Sequence, residues 1–247
     1  MNKYLFVFVI VMVTITAVGM NADVYLQEKT HTDSVYHHGT VEPATETVNE
    51  FWIGNKKMAA FTQGRIVIID LNQNQFIFAN RNDKTYVETT LPLDLAKILP
   101  EQLMMRIALF RTKGEVKETS ETKKIGKWDT RCYTINTWIV YEGARLNQRD
   151  TKAWYTTNVP FDLNAYMEIL PVFLTLSNFD EALINEMKKI KGVRVSSEII
   201  RYIDGKAVKS TREIVEMSEK NAPAGIYSIP KEFKKKDQLT IQDLRTQ

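Results

Sequence analysis

The stretch GRIVIIDLNQNQFIFANRNDKTYVETT, residues 64–90, decides the fold. Gly64 to Asp70 is a short run of β-branched residues, and Asn72-Gln73-Asn74 is a polar turn. Gln75 to Asn80 returns with Phe76-Ile77-Phe78 at its centre, Asn82-Asp83 turns again, and Thr85 to Thr90 follows. Short apolar runs punctuated at this spacing by turn formers predict an antiparallel meander.

Upstream the same rhythm continues. Lys57 to Thr62, a Gly54-Asn55 turn and Thr47 to Ile53 read as further strands. In Asp23 to Lys29, Val24, Leu26 and Glu28 share one face while Tyr25, Gln27 and Lys29 share the other. Thr30 to Thr40 extends this strand. Downstream the period changes at Leu91: Leu95, Ile98 and Leu99 lead to Pro100, which suits a first helical turn. Leu103, Ile107 and Phe110 then recur at helical spacing, with Met104 beside them. Strands resume at Gly114 to Lys124 and Lys127 to Tyr141, and a polar turn at Asn147 to Asp150 precedes Thr151 to Thr157.

A second helical region follows Pro160, with Phe161, Ala165, Tyr166, Ile169, Leu170, Phe173 and Leu174 as a broad apolar face interrupted by Pro171. Ser177 to Asp180 has capping-box spacing with the shorter acid and predicts a helix running to about Lys191. Val193 to Ile203 and Lys206 to Met217 flank Asp204-Gly205, a preferred type I′ hairpin pair. Lys231 to Gln247 is charged and predicts a frayed end or a short helix. With no repeat and no low-complexity linker, the fold class expected is α+β in one domain.

The chain begins with one charge at Lys3, an apolar run from Tyr4 to Ala17 broken only by Thr14 and Thr16, and small residues at Ala17, Gly19 and Ala22. That pattern predicts a secretory signal peptide over 1–22, too short and wrongly flanked for a stable membrane span, and a single domain over 23–247. A periplasmic or secreted location follows. The formal net charge of +3 argues against nucleic acid as a partner, because a nucleic-acid binder carries a strongly basic face. One cysteine, Cys132, permits no internal disulfide, so packing must supply stability. No other apolar run is long enough to cross a bilayer.

The chemistry-bearing residues are few. On a strand His37 and His38 point to opposite faces, and His31 lies about 20 Å from His37, so neither pairing makes a metal site. Cys132 sits in an apolar strand pattern with no histidine near it in sequence, which favours a buried structural thiol over a nucleophile, His38 being a partner only if folding brings it close. Asp180-Glu181 at a helix start is more economically a macrodipole pair than an acid–base pair. Lys231, Lys234, Lys235 and Lys236 read as a solvated run, with anionic lipid headgroups as the functional alternative. There is no G-x-S-x-G elbow, no P-loop and no dinucleotide fingerprint, so no cofactor and no catalytic residue is expected.

What stands apart is surplus apolar surface on the helical segments, more than one sheet face can cover. Leu103, Met104, Ile107 and Phe110 in the first, and Tyr166, Ile169, Leu170 and Phe173 in the second, are the candidate ligand-binding residues. Methionine suits an adaptable apolar wall, although ordinary core packing explains the same pattern equally well.

Certain landmarks carry a resemblance. They are Asp23-Val24-Tyr25, Lys29-Thr30-His31-Thr32-Asp33, Phe51-Trp52-Ile53-Gly54, Val67-Ile68-Ile69-Asp70-Leu71, Lys84-Thr85-Tyr86, and Lys123 to Trp128 with Cys132-Tyr133. The chain resembles an exported bacterial family of uncharacterised function that is similar in architecture to the outer-membrane lipoprotein carrier and receptor proteins. The resemblance implies a curved antiparallel sheet forming a half-open β-barrel, with helices on its concave face and a cavity for acyl chains between them. It transfers no functional residue. The function it favours is periplasmic binding or carriage of a lipid or lipidated partner. The alternative is an envelope protein-interaction or sensory module without lipid transport, and an enzyme ranks last.

Overall fold

The computed structural model describes residues 23–37, 39–203 and 205–244. The signal-peptide reading of 1–22, His38 and the Asp204 half of the hairpin turn lie outside the described residues. The meander forms as its turn chemistry requires: β4 (Thr45–Gly54), β5 (Lys57–Thr62), β6 (Arg65–Asp70), β7 (Gln75–Asn80) and β8 (Thr85–Thr90) pair antiparallel in sequence order. A second antiparallel run comprises β9 (Thr112–Ile125), β10 (Trp128–Tyr141), β11 (Ala144–Thr156), β12 (Val193–Ile203) and β13 (Lys206–Lys220). The first strand, β1 (Asp23–Thr32), joins the two runs by pairing with β4 on one side and β13 on the other. A two-residue strand, β14 (Lys234–Lys235), adds in parallel to β8. The resulting sheet has 12 strands in the order β14-β8-β7-β6-β5-β4-β1-β13-β12-β11-β10-β9. Its two ends do not pair among the described residues, so this large curved sheet is not closed into a barrel. Helices α1 (Glu101–Leu109), α2 (Leu163–Leu176), α3 (Glu181–Met187) and α4 (Ile241–Leu244) complete an α+β fold. None of the described helices is long and apolar enough to cross a membrane.

Strand alternation sorts the apolar residues into two layers. On the inner face Val24, Leu26, Ile53, Met58, Ile69, Phe76, Phe78 and Val87 pack with Ile169 and Val172 of α2 and with Ile98, Leu99 and Leu239. On the outer face Tyr25, Trp52, Ile66, Ile68 and Ile77 are covered by Ala222, Ile226, Tyr227, Ile229 and Phe233. The C-terminal segment thus gives β4–β7 a second apolar side. That is why Ile68 and Ile69, adjacent and on opposite faces, are both fully buried.

The structure departs from the sequence expectations at five places. β1 stops at Thr32, and beyond it β2 (Val35–His37) and β3 (Thr40–Glu42) fold back as their own small hairpin through Gly39, at φ +82°. The expected turn at Asn147 to Asp150 is strand. The reversal occurs at Glu142-Gly143, both at positive φ as a type I′ turn requires, and Asn147 at φ +50° accompanies a shift of register opposite Thr137 and Ile139. Ser177 ends α2, donating its hydroxyl to Phe173 O at 2.9 Å, while Asp180 alone caps α3, accepting from Leu183 N at 2.8 Å. α3 ends at Met187 rather than about Lys191, whereas α2 runs on through Pro171.

Candidate functional site

Between the inner face of the sheet and α2–α3 lies a cavity of about 350 Å³. Asp162 fixes how α2 enters it: its carboxylate accepts from Asn164 N at 2.9 Å and Ala165 N at 3.3 Å, satisfying two otherwise unpaired donors of the first turn. From that start, helical periodicity turns Tyr166, Leu170, Phe173 and Leu174 toward the cavity. Leu26, Phe51, Ile53 and Met58 form the opposing apolar wall. Tyr166, Leu170 and Phe173 of the residues singled out from sequence therefore line it. Ile169 is fully buried in the core instead. Leu103, Met104 and Ile107 of α1 pack against the rim of that same core without reaching the cavity, and Phe110 stacks on Tyr141 with ring centroids 5.4 Å apart. The two apolar segments read as one set from sequence are divided: α2 provides a wall and α1 provides packing.

The cavity also has a polar side. Glu28, Arg194, Arg212, Tyr155 and Tyr166 face it. Glu28 is only 6% exposed, and Arg194 donates to its Oε2 at 2.6 Å. Burial opposes ionisation of Glu28, but Arg194 and Arg212 outweigh it and hold the carboxyl below the usual carboxylate range. For Arg194, burial is overcome by Glu28, and its pKa rises. For Arg212, burial and then Arg194 lower the pKa against the pull of Glu28. The phenol of Tyr166 is pushed up to about 12, chiefly by burial. A site of this composition offers an apolar wall on one side and charge on the other. These three ionic residues were not singled out from sequence. The available signal was Glu28 itself, a carboxylate sharing the apolar face of Val24 and Leu26.

A second, more polar cavity of about 560 Å³ is lined by Lys123, Lys124, Asp129, Arg131 and Lys191 among others, with Tyr155 common to both. Two of its cations are engaged: Lys123 lies 3.3 Å from the centroid of the Trp154 ring, and Arg131 pairs with Glu118. Cys132 is fully buried, its thiol weakly directed at Tyr133 O. His31 lies between Asp33 and Glu46, at 3.3 and 3.7 Å, on the surface. Among the described residues no three His, Cys, Asp or Glu side chains converge as metal ligands would. Lys235 and Lys236, read as a solvated run, pair with Glu88 at 2.8 Å and Asp243 at 2.7 Å.

No family model matches this chain, and no curated protein does. Among solved structures, one similar chain is a Vibrio parahaemolyticus domain described as an outer membrane lipoprotein-sorting protein. It shares 5% identity over 82% of this chain and 87% of its own, at a TM-score of 0.28. A likeness that faint fixes neither a family nor an activity.

Proposed function

We propose that the protein binds or carries an apolar or acylated ligand in the cell envelope, taking the apolar part into the cavity between sheet and α2. In this reading residues 1–22 direct export, the open sheet acts as a half-open barrel with α2 as its plug, and no bond is made or broken. The supporting observation is the cavity of about 350 Å³ walled by Leu26, Phe51, Ile53, Met58, Leu170 and Phe173. It falls at the small end of the roughly 300–1,000 Å³ range of ligand pockets. Each methylene it removes from water contributes about 0.8 kcal/mol, which offsets the ordering cost of a flexible chain once several are buried.

Uptake of a fluorescent fatty acid by the purified protein, with native mass spectrometry of material from a bacterial host, tests the proposal. Leu170→Trp should fill the cavity and abolish uptake while leaving the melting temperature close to that of the parent. No uptake by the parent together with no co-purified lipid would overturn it, as would undiminished uptake by the tryptophan variant.

A second reading, an envelope protein-interaction module, rests on β9. Thr112 at its start bridges Phe179, but beyond it this long strand has no further strand on its outer side among the described residues and offers main-chain donors and acceptors to an added strand. Its density of charge, from Lys113 through Lys124, opposes edge-to-edge association of two copies.

A further inference from the structure

The sheet face that carries the cavity also carries an excess of guanidinium groups, and ordinary stability arguments do not account for it. Register aligns them across four strands. Thr30 of β1 lies opposite Arg212 of β13, and Arg212 lies opposite Ser197 of β12. Two alternations further along β12, on the same face, Arg201 stands directly opposite Arg149 of β11. Like charges placed directly across a ladder destabilise it. Desolvation first and Arg201 second lower the pKa of Arg149, and Arg149 and Arg201 also act on Arg212, so these groups share one field. Glu28 is the carboxylate acting on Arg212 and Arg194, and Arg194 occupies it at 2.6 Å. Among the described residues Arg149, Arg201 and Arg212 form no ion pair.

Two further atoms point the same way. Arg212 Nε and Ser197 Oγ, on residues directly opposite in register, are buried and without hydrogen-bond partners, and Ser197 is 1% exposed. A buried donor left unmade costs about 1–3 kcal/mol, and a native fold retains such a cost mainly where something else supplies the partner. Polarity is graded along the strands. The apolar wall at Leu26 gives way to Glu28, then to the row of Thr30, Arg212 and Ser197, then to Arg201 and Arg149.

We propose that the ligand is an anionic amphiphile: its acyl part enters the cavity, and its phosphate or carboxylate headgroup is received by Arg212 and Ser197, with Arg201 and Arg149 beyond them. This deepens the carrier reading above and rests on it. Guanidinium presents a fork of donors that matches both headgroup types, and the anion would relieve the crowding of like charge. Removing Arg212 should therefore leave the fold intact.

The test is a binding titration with three probes of one chain length, palmitate, palmitoyl lysophosphatidate and neutral monopalmitoylglycerol, with inorganic phosphate as a competitor. The parent should bind the two anionic probes about tenfold or more tighter than the neutral one. Arg212→Met should erase that preference without weakening the neutral probe, and Arg201→Gln, two alternations further along β12 from Ser197, should reduce it in part. Equal affinity for all three probes, or equal weakening of all three in Arg212→Met, would overturn the headgroup assignment while leaving the cavity reading standing. No binding of any probe would overturn the cavity reading itself. Binding of inorganic phosphate, lost in Arg212→Met and accompanied by no lipid binding, would replace the amphiphile with a simple anion.

Discussion

Replacing Asp243 by asparagine should release the C-terminal segment from β8. Asp243 is 1% exposed, and every partner of its carboxylate is a donor: Asn80 Nδ2 at 2.9 Å, Lys236 Nζ at 2.7 Å, and Thr240 N and Oγ1 at 2.6 and 2.8 Å. Burial by itself would raise its pKa. The donors, Lys236 first, reverse that and carry it from 3.8 down to about 2. A carboxyl depressed on folding contributes stability that is present above its unfolded value and is lost as pH falls through its folded value. The window is therefore pH 4 to 2. At 1.36 kcal/mol per pKa unit the contribution is about 2 kcal/mol. In the variant, the amide nitrogen would face donors only, which adds to the loss. The segment is pinned to the sheet by Lys234 N to Lys84 O and Lys236 N to Tyr86 O, both 2.8 Å. These two amides report the opening directly by hydrogen exchange. At neutral pH they should exchange about thirtyfold faster in Asp243→Asn, at tenfold per 1.36 kcal/mol. The steep acid destabilisation of the parent between pH 4 and 2 should flatten as well. Unchanged exchange at Lys234 and Lys236 would refute the account of Asp243 as the clasp.

Ile169→Ala, at a fully buried position of α2, should cost about 2–5 kcal/mol in urea unfolding, and a loss under 1 kcal/mol would mean that α2 is not seated on the sheet as described. Gly192→Ala would place a Cβ 2.3 Å from Thr156 O at φ +107°, so a lowered melting temperature, worth roughly 1–3 kcal/mol, is expected; a neutral substitution would contradict that close approach. Tyr166 should keep its proton to about pH 12 in a spectrophotometric titration. Because folding raises this pKa, the stability it contributes is full below about pH 10 and is lost as pH climbs through 12, and Tyr166→Phe should lose less over that interval.

Much of the sheet was legible because local chemistry specifies it. Asn72-Gln73-Asn74 and Asn82-Asp83 sit where the chain reverses, and β5, β7 and β8 have the predicted limits. What was missed depended on residues far away in sequence. The outward-facing Ile66 and Ile68 are buried only because the segment carrying Ile226, Tyr227 and Phe233 covers them, and nothing in residues 221–233 announces a docking strap. The turn expected at the polar Asn147 to Asp150 falls instead at Glu142-Gly143, where the hairpin around it makes glutamate at positive φ acceptable. In the site, periodicity found Tyr166, Leu170 and Phe173 but could not divide them from the α1 residues, since both segments show the same apolar spacing. The ionic wall stayed hidden because Arg194 and Arg212 become neighbours of Glu28 only through pairings that span most of the chain.

The placement of β1 governs the order in which the molecule can be assembled. Asp23 pairs with Lys220, so the earliest described strand receives its second neighbour only after nearly all the other strands have been synthesised. Closing so long a loop is slow, and until it closes the two meanders have no common strand to unite them. Synthesised N-terminus first, the polypeptide keeps that central seam unmade, its halves without a shared strand pairing, until β13 follows.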